Sequence, residues 1–330
     1  VEALQAEAPA HWTVDFFGMP RAFTGRIGSV VKYGSFAART LGRILFRRRY
    51  DIIHVHYFMP TVIIAWLYKC LRFRGARIIA TFHGSDIYAA RPGPFYSFFL
   101  RRLDYAIVVS QGLRQRLVAF GYPERKTSVL PAGLAPCFVA PGPRDAVKCR
   151  YDLVFVGALV PVKGFDLLPS ILRQLYPLRV CIVGTGPLRH VLDELNGLDH
   201  DITYYDTRTQ QELYNIYKSS RYILNISRNE SFGLAITEAM SIGTPAISTR
   251  TDGSVEQIKN GRNGFIVDSK SDEDIIKNIT FIIREALNAP DNVYHRMSKA
   301  ACQSVECYRL SVVTSKLVEL YRIVGSHQTP

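Results

Sequence analysis

The chain has 330 residues, 48% hydrophobic and 21% charged, with a formal net charge of +13 at pH 7. That balance excludes a disordered chain, and no apolar run reaches the roughly 18 to 20 residues that a membrane-spanning helix needs. The cysteines at 70, 137, 149, 181, 302 and 307 show no C-x2-C pairing, so neither a zinc site nor a disulfide framework is expected, and the thiols read as those of a reduced, cytosolic protein.

The charge is unevenly placed. Residues 1–150 carry 22 Lys/Arg against 8 Asp/Glu, a net +14, whereas residues 151–330 carry 19 against 20, a net −1. Basic regions of this kind meet nucleic acid, anionic membrane surfaces or acidic ligands. A helix over residues 24–48 would set Ile27, Val31, Ala38 and Leu45 on one side and Lys32, Arg39, Arg43 and Arg47 on the other. Such a helix suits docking on an anionic membrane surface; the competing reading is a core-packed helix with a solvated basic face. No recognition motif or stacking platform for nucleic acid accompanies the basic residues, so nucleic acid is not an expected partner.

Short β-branched runs then alternate with helical patterns. "DIIHVH" (51–56), "RIIATFHG" (77–84) and "YAIVVS" (105–110) read as buried strands in the first half. "YDLVFVG" (151–157), "RVCIVG" (179–184), "YILNIS" (222–227) and "TPAIST" (244–249) do so in the second. Continuous apolar strands separated by helices predict parallel sheets covered on both faces. The fold class expected is therefore α/β, with two doubly wound Rossmann-like domains facing across a cleft at the carboxyl ends of their strands. The Pro/Gly-rich stretch 130–147 ends the first domain. Boundaries are placed at 1–140, with a linker at 141–149, a second domain at 150–308 and a last segment at 309–330.

Several strand ends carry chemistry. "TFHGSDIY" (81–88) puts His83 and Gly84 at a strand's carboxyl end with Asp86 just beyond. A histidine there can hydrogen-bond a substrate hydroxyl, and the plainer reading is a structural His–Asp turn. "VFVGALVPVKGFDLL" (154–168) places Gly157 and then Lys163 on a strand-to-helix loop, where a lysine can neutralise phosphate as a point charge. "IVGTGPLRH" (182–190) offers Gly184 and Gly186, but Arg189 stands where a dinucleotide fingerprint has its third glycine. Nicotinamide chemistry is set aside on that ground. Asp-x-Asp at 199–201 reads as an interhelical turn and at 272–274 as a helix N-terminus capped by Ser271. Neither follows a buried strand, so no metal site is expected.

The most informative stretch is "ESFGLAITEAMSIGTPAIS" (230–248). A short helix starting near Ser231 or Phe232 would run toward a stop at Gly243 and Pro245. Eight helical steps separate the backbones of Glu230 and Glu238 by roughly 12 Å. That is too far for an acid–base pair on one bond, and it suits the two ends of one extended ligand. Unpaired amides at the helix N-terminus favour a negative group between them, and Gly233 leaves room for it. A sugar nucleotide fits that description.

In order and spacing, "DIIHVHYFMP", "TFHGSD", "FVGALVPVKGFDLL", "VGTGPL" and "NESFGLAITEAMSIGTPAISTRTDGSVEQIKNGRNGFIVD" resemble the retaining glycosyltransferases of family 4, which have the GT-B fold and an E-x7-E signature. The resemblance implies transfer of a sugar, as a hexosyltransferase would, from a nucleoside-diphosphate sugar to an acceptor hydroxyl. Configuration would be retained, with no metal and no further cofactor. It implies that Glu230 contacts donor-sugar hydroxyls and that the backbone of Ser231, Phe232, Gly233 and Leu234 holds sugar and diphosphate. Glu238 would bind the ribose and Lys163 the distal phosphate. Gly157, Gly184 and Gly186 line the donor side. His83 lies beside the sugar, with Asp86 on the acceptor side. The last helix would return to the first domain. Family members often carry Arg where this chain has Ala158, and open with a Gly-Gly loop that is not found before "HWTVDFFG" (11–18); loss of the first strands from the fragment is expected. With the basic first half, the acceptor expected is a glycan of the cell envelope or a lipid-linked one, at the inner face of the membrane. The alternative is a catalytically degenerate binding module for nucleotide sugar or glycan.

Overall fold

A strand buried on both faces is fixed by apolar side chains alternating between two cores. The structure, a computed structural model, describes residues 2–18, 25–138 and 149–326, the side chains of 25–33 excepted. The chain divides into two compact units, Val1–Pro131 with Val313–Pro330, and Ala132–Val312. No described helix is long and apolar enough to cross a membrane.

The first unit holds a parallel four-stranded sheet in the order β1 (Ile52–His56), β2 (Arg77–Phe82), β3 (Tyr105–Val108), β4 (Thr127–Val129). The last helix, Leu310–Gly325, belongs to this unit from Val313 onward. Its Leu320 and Val324 pack on Ile79, Ile107 and Leu130. On the other face, Ile44 with Leu41 and Leu45 packs on Tyr68 and Ala76.

That contact corrects the reading of residues 24–48. The helix runs Gly25–Phe46, its buried side is made by Leu41, Ile44 and Leu45, and Ala38 is exposed. Leu41, Ile44 and Leu45, on adjacent turns near the C-terminal end, settle against the fold, so this part of the helix spends its apolar side on the core. Arg39, Arg43 and Arg47 are exposed, while the side chains of Ile27, Val31 and Lys32 lie outside the described residues.

The second unit has six parallel strands, β5 (Tyr151–Val156), β6 (Arg179–Val183), β7 (Asp201–Tyr205), β8 (Ser220–Asn225), β9 (Ala246–Thr249) and β10 (Gly264–Val267), in the order β10-β9-β8-β5-β6-β7. Leu153, Phe155, Val180, Ile182, Leu224 and Ile247 face one core, against Ile275, Ile279 and Ile283 of the helix Asp272–Asn288. Val154, Cys181, Val183, Ile223 and Ala246 face the other, against Ile236, Ala239 and Met240 of the helix Leu234–Ser241. The order reverses at the neighbouring pair β5 and β8. Such a switch opens a crevice at the carboxyl ends of the two strands.

The observed division falls at Pro131, ahead of the expected residue 140, because Leu134 and Phe138 are buried in the second unit's core. The amide of Leu134 also donates to the carbonyl of Tyr308 (2.8 Å). The linker assigned to 141–149 lies outside the described residues save Cys149. Strand β4 has only three residues, β7 begins at the exposed Asp201 and is half-buried elsewhere, and β10 opens on Gly264; none of the three is among the strands expected from the sequence. The Asp-x-Asp at 199–201 leads into β7 and does not join two helices.

Candidate functional site

The crevice of the second unit is built from strand-end loops at the switch point. After β5, Gly157 donates its amide to the carbonyl of Val183 (3.0 Å), and Leu159 does the same to Thr185 (2.9 Å). A Cβ on Gly184 would lie 1.8 Å from the Gly157 carbonyl oxygen, and one on Gly186 would lie 2.4 Å from that of Leu159. Glycine at 184 and 186 therefore lets two loops touch backbone to backbone.

The β5 loop continues through a turn of 3-10 helix, Pro161–Lys163, into Gly164 at φ +70°. A Cβ there would sit 2.0 Å from the carbonyl oxygen of Ile226, just past β8. Arg228 locks the two loops together. Its amide donates to the Val162 carbonyl (2.9 Å), and its guanidinium bridges Asp166 (2.8 Å) and Asp272 (2.7 Å). Lys163 is thereby held against Glu230, and its ammonium donates to Glu230 Oε2. The carboxylate is the better buried partner, at 14% side-chain exposure against 28% for the lysine.

Beyond Glu230, Phe232 is buried with its ring edge-on to Tyr308 (5.2 Å, 83°). Gly233 at φ +84° ends the turn and is the N-cap of Leu234–Ser241. The helix thus starts at Leu234, later than the pattern predicts, because only past the left-handed glycine does the backbone become helical. Its first internal bonds run from the Ile236 and Thr237 amides to the Gly233 carbonyl (2.9 and 3.3 Å). The amides before them have no partner inside the helix, and they lie just past Glu230 in the chain.

The turn is supported from behind by residues that sequence reasoning did not single out. Gly253 donates its amide to the Glu230 carbonyl (2.9 Å), and a Cβ on it would meet the Phe232 backbone at 2.3 Å. The Gln257 amide group donates to the Phe232 carbonyl and the Thr237 hydroxyl donates to its Oε1 (2.6 Å). The available signal was a glycine followed by a helix-starting serine in "TDGSVEQ". One turn into the helix, Glu238 is 8% exposed and accepts from the Tyr217 hydroxyl (3.1 Å). Burial pushes its carboxyl up to about 7, against the lowering effect of that hydrogen bond.

In the first unit, β1 sets His54 and His56 two residues apart on one face, and His83 follows β2. The three imidazoles stack, with centroids 4.6 Å apart from His54 to His56 and 5.2 Å from His56 to His83. His56 Nδ1 and His83 Nε2 share a hydrogen bond of 3.0 Å. His54 bonds Tyr321 through Nδ1 and Thr81 through Nε2 (2.7 Å). Burial lowers all three, His56 to about 4, so the stack is neutral near pH 7. Tyr57 completes it, its ring 4.6 Å from His83 and its φ at +62°.

Asp86 serves the backbone. Its Oδ1 accepts the amides of His83 and Gly84 (3.0 Å each) and its Oδ2 that of Phe58 (3.2 Å). The carboxylate pins the His83 turn to the start of the helix Phe58–Leu71, as the structural reading of the His–Asp turn expects. The sequence-picked residues thus collect at two strand-end sites, the histidine and aspartate in one unit and the others in the second.

Comparison with known proteins agrees with this geometry. The family described as "Glycosyl transferases group 1" matches residues 145–304, and "Glycosyltransferase Family 4" matches residues 6–136. An uncharacterised glycosyltransferase of Methanocaldococcus jannaschii is 26% identical over 306 residues, covering 80% of this chain and 76% of that protein. The D-inositol 3-phosphate glycosyltransferase of Corynebacterium glutamicum is 26% identical over 329 residues, covering 86% and 76%. The crystal structure of Anabaena HepE in complex with UDP and glucose superposes with a TM-score of 0.71 at 18% identity, over 90% of this chain and 84% of that one. With both halves of the chain matched and the same pair of parallel-sheet domains in its structural neighbours, the chain belongs to the family 4 type of glycosyltransferases with the GT-B fold.

Proposed function

We propose that the protein is a retaining, metal-independent hexosyltransferase that moves a sugar from a nucleoside-diphosphate donor to an acceptor hydroxyl. The observation that carries this reading is the Lys163–Glu230 pair beside the N-terminus of the helix Leu234–Ser241, at the switch point of the sheet. A cation and helix amides together suit a diphosphate. In this reading Glu230 divides its oxygens between the lysine and donor-sugar hydroxyls. The backbone from Ser231 to Leu234 cradles sugar and phosphates, and Glu238 accepts from the ribose hydroxyls. His83 offers a neutral imidazole to the sugar. Gly157, Gly184 and Gly186 shape the donor-side loops.

Catalysis then rests on stabilising the charge that grows on the leaving diphosphate, which Lys163 and the amides meet without rearrangement of solvent. The acceptor attacks from the face the diphosphate leaves, which retains configuration without a protein nucleophile. The acceptor class we favour is a glycan of the cell envelope or a lipid-linked glycan, reached from the cytoplasmic side.

The test is incubation with a panel of nucleotide sugars and acceptors, following diphosphate release and the anomeric configuration of the product. UDP-sugars come first, since UDP is the nucleotide bound in the HepE structure. Turnover with retained configuration that survives chelators is expected. Inversion, or restoration by Mg²⁺ of activity lost to EDTA, would overturn the mechanism. Donor binding with no transfer to any acceptor would leave a binding module.

A further inference from the structure

We infer that the first unit carries a docking surface for an anionic lipid bilayer on the helix Pro94–Leu100. The inference does not depend on the transfer reaction. It starts from how that helix is seated. Phe99 and Leu100 are buried, and the Tyr96 ring packs on Phe58 (4.9 Å) while its hydroxyl donates to the Asp86 carbonyl (3.3 Å). The inner side is therefore fixed in the fold. On the outer side Phe95 and Phe98, three residues apart, are 64% and 37% exposed. They are the rim of one aromatic cluster, with Phe95 5.0 Å from Phe99 and Trp66 5.8 Å from Phe98. Rigid, half-buried aromatics lose little entropy on insertion and suit the boundary between headgroups and acyl chains.

Charge selects the partner. Residues 87–103 carry Arg91, Arg101 and Arg102 and no acidic residue, and all three arginines are exposed. The acids that flank this stretch are already engaged, Asp86 by backbone amides and Asp104 by Lys69 and Arg77. The surface is cationic with aromatic tips, which complements a bilayer bearing anionic headgroups. The Arg102 guanidinium lies 3.2 Å from the centroid of Phe98 and donates to the Phe98 carbonyl (2.8 Å). One face of that ring is thus covered, which disfavours base stacking of the kind single-stranded nucleic acid uses. The helix Gly25–Phe46 is a poorer candidate, since its described apolar side is packed in the core.

Co-sedimentation of the chain with vesicles tests this, using phosphatidylcholine alone and phosphatidylcholine with added phosphatidylglycerol. Binding should require the anionic lipid and weaken with salt. Phe95→Ser/Phe98→Ser should weaken it at least tenfold, and Arg101→Gln/Arg102→Gln by about fivefold per arginine, the equivalent of about 1 kcal/mol each. The arginine variant keeps the test decisive if the aromatic one folds poorly. Arg39→Gln/Arg43→Gln/Arg47→Gln should change partitioning less than either. Three results would overturn the inference: native chain left in the supernatant with anionic vesicles, undiminished binding of both patch variants, or lipid-free self-association that the patch variants abolish.

Discussion

In the second unit the strand-end loops are held by charge and close backbone contact, with Lys163 on Glu230, Arg228 between two aspartates, and glycines where loop meets loop. In the first unit the corresponding strand ends carry three stacked neutral imidazoles and a tyrosine, with the carboxylate of Asp86 committed to backbone amides. One site is preorganised to meet an anion. The other offers hydrogen bonds without bringing charge. On the proposed reading, one unit would bind the phosphates and the other would handle hydroxyl groups.

The sharpest way to break the charged site is through its backbone. Gly164→Ala places a methyl 2.0 Å from the Ile226 carbonyl oxygen in a left-handed conformation, so the β5 and β8 loops must part. We expect a loss of at least ~3 kcal/mol in the unfolding of the second unit and nearly complete loss of transfer. Gly121→Ala, at φ +88° with nothing within 4 Å of the new methyl, should cost only about 1 kcal/mol. Equal thermal shifts in the two variants would show that conformation and not contact fixes Gly164.

Removing the cation is the next largest effect. Lys163→Ala should lower turnover by about 10²-fold, or ~2.7 kcal/mol of transition-state stabilisation, with a smaller change in donor affinity. An effect confined to KM would mean that the lysine binds ground and transition states alike.

The smallest effects distinguish the units by pH. The Glu238 carboxyl is raised from 4.5 to about 7. Its stabilising contribution is full below about pH 4.5 and is lost as pH rises through about 7. His56 is lowered from 6.5 to about 4, so its contribution is full above about pH 6.5 and is lost as pH falls through about 4. Thermal unfolding followed by hydrogen exchange should show the second unit weakening as pH rises from about 4.5 to about 7 and the first weakening as pH falls from about 6.5 to about 4. Glu238→Gln should flatten only the first of these trends, and His56→Asn only the second. Donor KM should also fall as the Glu238 carboxylate forms near pH 7, and stay level in Glu238→Gln. Parallel pH trends in both units would contradict the assignment.

Much of this was legible in the amino-acid order because it depends on local rules. Strands β1, β2, β3, β5, β6, β8 and β9 announce themselves as apolar runs, since burial on both faces demands them. Lys163, Glu230 and Glu238 stand out because strand-to-helix loops and helix beginnings have few ways to be built. The three-residue β4 and the partly exposed β7 and β10 carry less of that signal.

What the sequence by itself determined was the alternation that makes two α/β units, the lopsided charge, and the set of residues offered at strand ends. What only the tertiary structure decided was how those residues are spent. Gly184 and Gly186 let one loop lie directly against another, which requires knowing that β5 and β6 are neighbours. Asp86 is consumed by two amides of its own turn and by that of Phe58, where a helix starts 28 residues earlier. Leu41, Ile44 and Leu45 turn out to rest on Tyr68 and Ala76, and the stack of His54, His56 and His83 exists only because β1 pairs in register with β2. Local propensity and burial act through nearest neighbours in the chain, whereas these assignments depend on contacts between segments that only folding brings together.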